Sequence, residues 1–311
     1  MRFSLSSLSF PFFLLMALWF SSPALAQNLP QKSPAQPSDS TSAPNDVEGV
    51  SVEENVPYML PVNPQWTLDV YKPAAPGKNR AAVVLIHGGG WIGLDKSTMR
   101  RMGMFLARSG FVAFSVNYRL FDGKENAWPT QLDDVQHAVR WIRANPEKYG
   151  VNPERIGAFG HSAGGQLAAL LGMVEARDNS AADAKYSSKV QAVVDVSAPS
   201  DFTTEKDPDA IKFFTSFLGG DSAKHQEIWQ QASPVFHVSR DNAPFLIIHG
   251  TQDQEVPIAQ AQELYDKLQS AGASVSLIKV EDVHTFQTPE ARRRLAIETV
   301  SFFNHKLVQD Q

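Results

Sequence analysis

The sequence predicts a domain of the α/β class, built on a mostly parallel sheet of eight strands with helices on both faces. Three observations predict this architecture. Residues 50–308 have the length of one large domain. Short apolar runs alternate along them with longer segments of helical period. The strand-like runs are continuously apolar, as in sheets that are covered on both faces.

Strands are predicted where short runs rich in β-branched and aromatic residues are bounded by Gly, Pro or polar residues. Two of them, at 50–58 and 66–71, are expected to form an antiparallel pair at the front edge of the sheet. The other six strands are predicted at residues 82–86, 111–116, 156–159, 190–196, 245–248 and 275–280.

Helices are predicted where apolar residues recur every three or four positions, as Leu132, Val135 and Val139 do. Gly110 directly follows the first helical segment, which is a common stop signal. The helices are predicted at residues 97–109, 129–145, 163–174 and 258–270, and from residue 289 onward.

Residues 1–26 have the pattern of a secretory signal peptide. A short basic start precedes an almost wholly apolar run over residues 10–20, and Ala24-Leu25-Ala26 supplies a small-x-small cleavage site. The apolar run is too short to span a bilayer, so we expect no stable membrane anchor. We therefore expect export to the periplasm or the medium after cleavage near Ala26.

Residues 27–49 are rich in Pro, Ser, Ala, Gln and Asn and carry few bulky apolar side chains. Such a segment cannot bury enough surface to offset the entropy of ordering it, so we expect a disordered spacer. The folded domain is then expected over residues 50–311.

Composition excludes several classes of protein and site. The chain has no cysteine, which rules out a thiol nucleophile, a thiolate metal site and a disulfide framework. A net charge of −5 with scattered basic residues gives no footprint for nucleic acid. No H-E-x-x-H spacing and no phosphate-binding G-K-[ST] motif occur, so we expect neither a metal nor another cofactor.

Ser162 is the candidate nucleophile. It stands in G-H-S-A-G-G, between a predicted strand and a predicted helix, with glycine two positions before and two positions after it. In open parallel sheets, ligands bind at the carboxyl ends of the strands. A sharp turn from strand to helix brings two backbones together and needs these glycines, and it lifts the serine hydroxyl out of the sheet.

A serine hydroxyl needs a base, and the base needs an acid to orient it. His284 is the candidate base, because it follows both Ser162 and a later strand end, in the chain order Ser, acid, His. Asp253 is the candidate acid, because it lies in the turn after the strand at 245–248. Its rival Asp282, two residues before His284, would have to fold back on its own loop.

The motif H-G-G-G-W follows the strand at 82–86. Its adjacent glycines let backbone N–H groups point into a site without obstruction by side chains. With the N–H of Ala163, those of Gly89 and Gly90 are expected to form an oxyanion hole. We interpret His87 and His249 as residues that shape their loops rather than as ligands.

More than forty residues separate the strands at 190–196 and 245–248, and a small cap over the site is expected at about 200–240. Asp207-Pro208 is a typical helix start and Gly219-Gly220 a stop. The helix between them carries three phenylalanines, of which we expect at least one to pack in the core. The candidates for the pocket wall are Trp91, His161, Phe213, Phe214, Phe217, Trp229 and Phe236.

Together, H-G-G-G-W, G-H-S-A-G-G, H-G-T-Q-D-Q-E-V-P and V-H-T-F resemble the motifs of secreted or periplasmic carboxylesterases with the α/β-hydrolase fold. More narrowly, they resemble the bacterial group that is feruloyl/acetyl-xylan-esterase-like and hormone-sensitive-lipase-like. The hormone-sensitive-lipase-like enzymes usually carry their acid in D-P-L-x-D-E. The G-T-Q-D-Q-E-V-P context here is instead similar to the feruloyl-esterase-like, dienelactone-hydrolase-like and prolyl-oligopeptidase-like branches.

The resemblance implies a serine carboxylic-ester hydrolase that acts through an acyl-enzyme on a small-molecule or saccharide ester. The small cap favours short acyl chains, with acetylated or feruloylated carbohydrate among the expected substrates. The H-G-G-x-W signature also resembles kynurenine formamidase, so an amide hydrolase of the arylformamidase or peptidase type stays open. A non-catalytic binding protein on this fold is the alternative from another class, and the presence of both Ser162 and His284 argues against it.

The first prediction concerns the amino terminus. Because the cleavage pattern ends at Ala26, the mature protein is expected to begin near Gln27 when the full chain is expressed in a bacterium with a general secretion system. Mass spectrometry of the amino-terminal peptide from the periplasmic or secreted fraction measures this. An intact Met1 on cytoplasmic protein would contradict it.

Overall fold

The structure is a computed structural model of the chain, and it describes residues 45–47, 49–178 and 183–309. The predicted signal peptide and most of the predicted spacer lie outside these described residues. Among the residues that are described, no helix is both long and apolar enough to cross a membrane.

Nine strands form one sheet in the described part of the chain. They are β1 (Asn45–Val47), β2 (Val50–Pro57), β3 (Thr67–Pro73), β4 (Arg80–Ile86), β5 (Val112–Val116), β6 (Val151–His161), β7 (Ala192–Val196), β8 (Phe245–Gly250) and β9 (Val275–Val280). Their order across the sheet is β1-β2-β3-β5-β4-β6-β7-β8-β9. The pairs β1–β2, β2–β3 and β3–β5 are antiparallel, and every pair from β5–β4 to β8–β9 is parallel. This confirms the predicted mostly parallel sheet with an antiparallel pair at its front edge.

Helices cover both faces of the sheet, as the pattern of apolar residues predicts. One face packs against α1 and α8, and the other packs against α2, α4 and α7. The α-helices are α1 (Arg100–Arg108), α2 (Thr130–Ala144), α3 (Pro146–Tyr149), α4 (Ala163–Leu171), α5 (Pro208–Phe217), α6 (Gln226–Ala232), α7 (Ile258–Ser270) and α8 (Pro289–Asn304). Single 3₁₀ turns lie at Pro64–Trp66, Lys96–Met99, Phe202–Thr204 and Pro234–Phe236, and a π turn lies at His305–Gln309.

The central strand β4 shows why these strands are continuously apolar. Val84 and Ile86 face the layer that holds α2 and α4, whereas Val83 and Leu85 face the layer that holds α1 and α8. All four side chains are fully buried. Because successive residues of a strand point to opposite faces, a strand covered on both faces needs an apolar residue at every position.

The sheet has one strand more than the eight predicted, and the extra strand lies in the segment expected to be a disordered spacer. Strand β1 forms the edge of the sheet and pairs antiparallel with β2, so that Asn45 lies opposite Val52 and Val47 lies opposite Val50. The prediction of a spacer over residues 27–49 is therefore wrong at residues 45–47. An edge strand can be held by backbone hydrogen bonds, and the composition of its side chains does not reveal that pairing.

The carboxyl ends of β4, β6, β7, β8 and β9 lie at the same edge of the sheet, because these strands run parallel in adjacent positions. The segments that leave this edge carry H-G-G-G-W, Ser162, the cap, Asp253 and His284. The fold thus gathers the predicted site residues at one place.

Candidate active site

Ser162 stands on a strained turn between β6 and α4. Its backbone has φ of 56° and ψ of −124°, a conformation that non-glycine residues rarely adopt and that costs about 1–3 kcal/mol. Its N–H donates to the carbonyl of Val196 at 2.8 Å, which ties the turn to the end of β7. A Cβ at Gly160 would meet the backbone of Gly164, and one at Gly164 would meet the carbonyl of Ile86. The turn therefore requires both glycines.

His284 and Asp253 form a buried hydrogen-bonded pair at the same edge of the sheet. Nδ1 of His284 lies 2.7 Å from Oδ2 of Asp253, and neither side chain is more than 6% exposed. Oδ1 of Asp253 accepts the backbone N–H groups of Glu255 and Val256, each at 2.9 Å. Burial by itself would raise the pKa of Asp253, but hydrogen bonds from His249 and His284 outweigh it and lower that pKa well below its usual value. The carboxylate is therefore ionised at neutral pH.

His161 holds the loop that carries His284. Its Nε2–H donates to the backbone carbonyl of His284 at 2.9 Å, and the two rings lie 4.8 Å apart between centroids. Burial, reinforced by the neighbouring charge of His284, lowers the pKa of His161 to about 4. His161 is thus neutral at pH 7.

Asp282, the rival candidate for the acid, organises its own loop. Its Oδ1 accepts the N–H groups of Val283 at 2.7 Å and Gln287 at 3.1 Å. Its Oδ2 accepts the N–H of Thr288 at 2.9 Å and the hydroxyl of the same residue at 2.6 Å. Burial would raise the pKa of Asp282, but these hydrogen bonds lower it to about 2. The carboxylate of Asp282 therefore binds groups of its own loop, and the carboxylate that contacts His284 is that of Asp253.

The glycine loop and the start of α4 supply the candidate oxyanion hole. Gly89 and Gly90 have φ of +103° and +59°, and both line the same cavity as Ser162. The N–H groups of Ile92 and Gly93 donate to the carbonyl of Gly89 and close the loop into a turn. Ala163 is the first residue of α4, where backbone N–H groups have no partner within the helix.

His87 holds this loop against the segment that follows β5. Its ring stacks on Tyr118 at 4.2 Å between centroids, and the hydroxyl of Tyr118 donates to the His87 carbonyl at 3.0 Å. Burial lowers the pKa of His87 to about 4, so the ring is neutral at pH 7. These contacts agree with its interpretation as a loop-shaping residue.

A cavity of about 480 Å³ opens over Ser162 and His284. Its size is that of a site for a small ligand. Of the predicted wall residues, Trp91, His161, Phe213 and Phe214 line it. Polar residues share the lining with them, namely Asp201, Thr204, Glu205, Lys206, Glu255, Gln260 and Thr285.

Trp229, Phe217 and Phe236 do not line this cavity, so the prediction of Trp229 and Phe236 as wall residues is wrong. Trp229 is buried one layer behind, where its Nε1–H donates to the carbonyl of Gly220 at 2.9 Å and its ring packs against Phe214. Phe217 is fully buried and stacks on Trp91, so it is the core residue expected among the three phenylalanines. Phe236 is 43% exposed, and Nζ of Lys267 in α7 lies 5.3 Å from the centroid of its ring.

Sequence reasoning missed two contacts in the site. Nε2 of His249 lies 3.2 Å from Oδ2 of Asp253, and Oε2 of Glu255 lies 3.8 Å from Nε2 of His284. A signal for the first was present, because His249 is the polar residue of an otherwise apolar strand and lies four positions before Asp253. Glu255 has no comparable signal, since an exposed glutamate in a loop is ordinary.

No group of three or more His, Cys, Asp or Glu residues placed to hold a metal ion occurs within the described ranges. What the site contains instead is a strained serine, a buried histidine–carboxylate pair and a glycine turn around one cavity. These are the parts that nucleophilic acyl transfer requires.

Comparison with solved structures gives the class of protein. A truncated form of a carbohydrate esterase from gut microbiota matches 86% of this chain and all of its own, with a TM-score of 0.73 and 26% identity. An esterase of Thermogutta terrifontis with butyrate bound matches 84% of this chain and 96% of its own, with a TM-score of 0.70 and 25% identity. The chain therefore has the α/β-hydrolase fold of esterases, as the motifs predict.

The model of the BD-FAE family matches residues 68–268, which is more than half of the chain. The chain belongs to the BD-FAE family. Among curated relatives, esterase LipC of Mycobacterium tuberculosis is 30% identical over 221 residues, which cover 68% of this chain and 54% of LipC. The chain spans about half the length of the curated relatives that it matches.

The four hydrogen bonds of Asp282 predict an effect on stability. An asparagine at this position cannot accept both donors of Thr288 through its amide nitrogen, so Asp282→Asn is expected to lower the free energy of unfolding by about 1–3 kcal/mol at pH 7. The wild-type advantage is expected to shrink as the pH falls from about 4 toward 2, since a lowered carboxylate pKa stabilises the fold only above that range.

Urea unfolding at several pH values measures both effects. Asp266→Asn is the matched control, because Asp266 lies on the exposed face of α7 and accepts one bond from Gln262, which an asparagine oxygen can also accept. Equal loss of stability in the two variants would contradict the assignment of Asp282 to the loop.

Proposed function

We propose that this chain is a serine carboxylic-ester hydrolase that acts through an acyl-enzyme. One observation carries the proposal: the buried 2.7 Å contact of His284 with Asp253, at the cavity that Ser162 also lines. The ionised carboxylate holds the imidazole with its proton on Nδ1 and leaves Nε2 free to accept a proton. Esterase activity in the relatives supports the same chemistry.

In the first half of the reaction, Oγ of Ser162 attacks the ester carbonyl carbon while its proton passes to Nε2 of His284. The carbonyl oxygen becomes an oxyanion, and the N–H groups of Gly89, Gly90 and Ala163 are the candidate donors to it. When the tetrahedral intermediate collapses, His284 returns the proton to the leaving alkoxide. The alcohol departs and the acyl group stays on Ser162 as an ester.

In the second half, a water molecule takes the place of the alcohol. His284 accepts a proton from this water as its oxygen attacks the acyl carbon, and it then protonates Oγ of Ser162 as the carboxylic acid leaves. Asp253 stays ionised through both halves, and it stabilises the imidazolium formed in each. The T. terrifontis esterase is known in phosphorylated and phosphonylated forms, which supports a nucleophilic serine here.

The proposed substrates are short-chain acyl esters, with acetylated or feruloylated carbohydrates as the favoured class. The aromatic side of the cavity, formed by Trp91, Phe213 and Phe214, suits a small acyl group. Polar residues also line the cavity, Lys206 and Thr285 among them, and their side chains can hydrogen-bond to hydroxyl groups. The butyrate in one structural neighbour and the carbohydrate substrate class of another support this proposal.

We also propose that the enzyme acts outside the cytoplasm, from the signal-peptide pattern of residues 1–26.

Two measurements test the function. Labelling by a fluorophosphonate probe is expected in the wild type and absent in Ser162→Ala, and an unlabelled wild type would leave only the binding-protein alternative. A panel of p-nitrophenyl acyl esters, acetylated and feruloylated saccharides and matched anilides then separates ester from amide hydrolysis. Faster turnover of the anilides would favour the amide-hydrolase alternative.

The triad predicts a non-additive pattern of rates. Ser162→Ala and His284→Ala are each expected to lower kcat by about a millionfold, and the double variant by little more, because the two groups act as a unit. Asp253→Asn is expected to cost about ten-thousandfold, since the base remains but in the wrong tautomer.

Asp282→Asn is the matched control for the acid, and its kcat is expected to stay within a small factor of the wild type. The measurement is kcat on p-nitrophenyl acetate for folded protein at a temperature below the transition of the least stable variant. A damaging Asp282→Asn with a mild Asp253→Asn would reverse the assignment of the acid, and a Ser162→Ala variant with a tenth of the activity would overturn the mechanism.

The small cap predicts a preference for short chains. Acetyl to butyryl esters are expected to have kcat/KM at least about tenfold higher than esters of ten or more carbons, because a long acyl chain does not fit within the aromatic side of the cavity. Phe213→Ala is expected to raise the relative rate on octanoyl esters several-fold. Phe236→Ala is expected to leave the profile unchanged, because Phe236 does not line the cavity. A profile that rises beyond eight carbons would contradict this.

A further inference from the structure

A second histidine contacts the carboxylate of the proposed triad. Nε2 of His249 lies 3.2 Å from Oδ2 of Asp253, the same oxygen that His284 approaches at 2.7 Å. The side chains of His249 and Asp253 are both completely buried. In the proposed reaction only His284 transfers protons, so the proposed mechanism does not explain the close contact of His249 with Asp253.

The partners of His249 decide where its proton lies. Nε2 also lies 2.9 Å from the backbone carbonyl oxygen of Val256, which belongs to the loop just after Asp253. A carbonyl and an ionised carboxylate can only accept hydrogen bonds, so Nε2 must carry the hydrogen in this position. From its place in β8, the Nε2–H of His249 therefore points to acceptors in the loop that carries Asp253.

The loop of Asp253 is built around this donor. Oδ1 of Asp253 accepts the N–H groups of Glu255 and Val256, which fixes one oxygen by the backbone. His249 reaches Oδ2 and the carbonyl of Val256, so it bridges the other oxygen to the far end of the same turn. Without His249, the only remaining donor to Oδ2 among the described contacts is His284 itself.

His249 is held in place by β8 rather than by a loop. It is the fifth residue of that strand and lies on the face that packs against α4 and α7. Asp195, on the neighbouring strand β7, lies on the same face, because it is in register with Ile247. Nδ1 of His249 and Oδ1 of Asp195 are both buried without a hydrogen-bond partner in the described part of the chain. Such uncompensated polar groups are costly in a core, which favours a role beyond packing.

We propose that His249 is a positioning residue, which fixes Oδ2 of Asp253 at the angle that the hydrogen bond from His284 requires. The inference rests on the proposed function, because it concerns the same triad. Loss of the Nε2 donor would leave the carboxylate held by the two backbone bonds to Oδ1, so its plane could tilt and the imidazole of His284 would be oriented less firmly. The effect passes through Asp253 and therefore falls on kcat rather than on KM.

The test compares His249→Met, which removes the donor, with His249→Gln, whose side-chain amide can place an N–H near the position of Nε2. His249→Met is expected to lower kcat on p-nitrophenyl acetate about 10- to 100-fold with KM within about twofold, as for a lost hydrogen bond to a charged group. His249→Gln is expected to recover most of that loss. His137→Met, the same change in a half-buried histidine of α2 away from the cavity, is the control and keeps the wild-type kcat.

A double-mutant cycle with Asp253→Asn separates positioning from a merely structural role. If His249 acts through Asp253, then His249→Met lowers kcat by about threefold at most in the Asp253→Asn background. If His249 only supports the fold, the kcat losses multiply and His249→Gln fails to restore the rate. Either of those two results would overturn the proposal, whatever happens to the thermal transition of the single variants.

The proposed function fails by a different result. If fluorophosphonate does not label wild-type protein, or if Ser162→Ala keeps its activity, the triad itself is wrong. If labelling and the Ser162→Ala result stand but the cycle is additive, the esterase proposal survives and only the role of His249 falls.

Discussion

The buried hydrogen bond between His284 and Asp253 is the interaction on which the rest of the site depends. An ionised carboxylate without exposure to water is strongly unfavourable unless donors surround it. The chain supplies two backbone N–H groups from the following turn and a ring N–H from each of two histidines. The turn after β8 is therefore shaped by the need to satisfy one negative charge, and the position of His284 follows from it.

The sheet makes this arrangement possible because it delivers each part from a separate strand end. The turn of Ser162 is tied to β7 by the hydrogen bond from its N–H to the carbonyl of Val196, and the loop of His284 is tied to β6 by His161. Hydrogen bonds between segments that leave different strands therefore hold the parts of the site together, in addition to the connections along the chain. The strain at Ser162 can persist because packed neighbours on both sides prevent the turn from relaxing.

Much of this could be predicted from the sequence. Helix α7 and strand β9 fall at the predicted residues, and the strand ends place Ser162, Asp253 and His284 together because parallel strands share one edge. Strand β1 could not be predicted, since its pairing depends on backbone groups of an edge. The place of Trp229 could not be predicted either, because a cap aromatic has the same sequence signal whether it faces the cavity or packs behind Phe214.

His249 shows where local reasoning from a motif stops. In the sequence it stands beside a glycine in a turn, so shaping a loop is the simplest interpretation, and its bond to the carbonyl of Val256 agrees with that. The same nitrogen also reaches Asp253, because the turn after β8 folds back over the strand end. The same N–H group therefore shapes the loop and orients the carboxylate. A buried residue such as His249 can support both the fold and the site, and only its distance to Asp253, which the sequence does not reveal, indicates the second role.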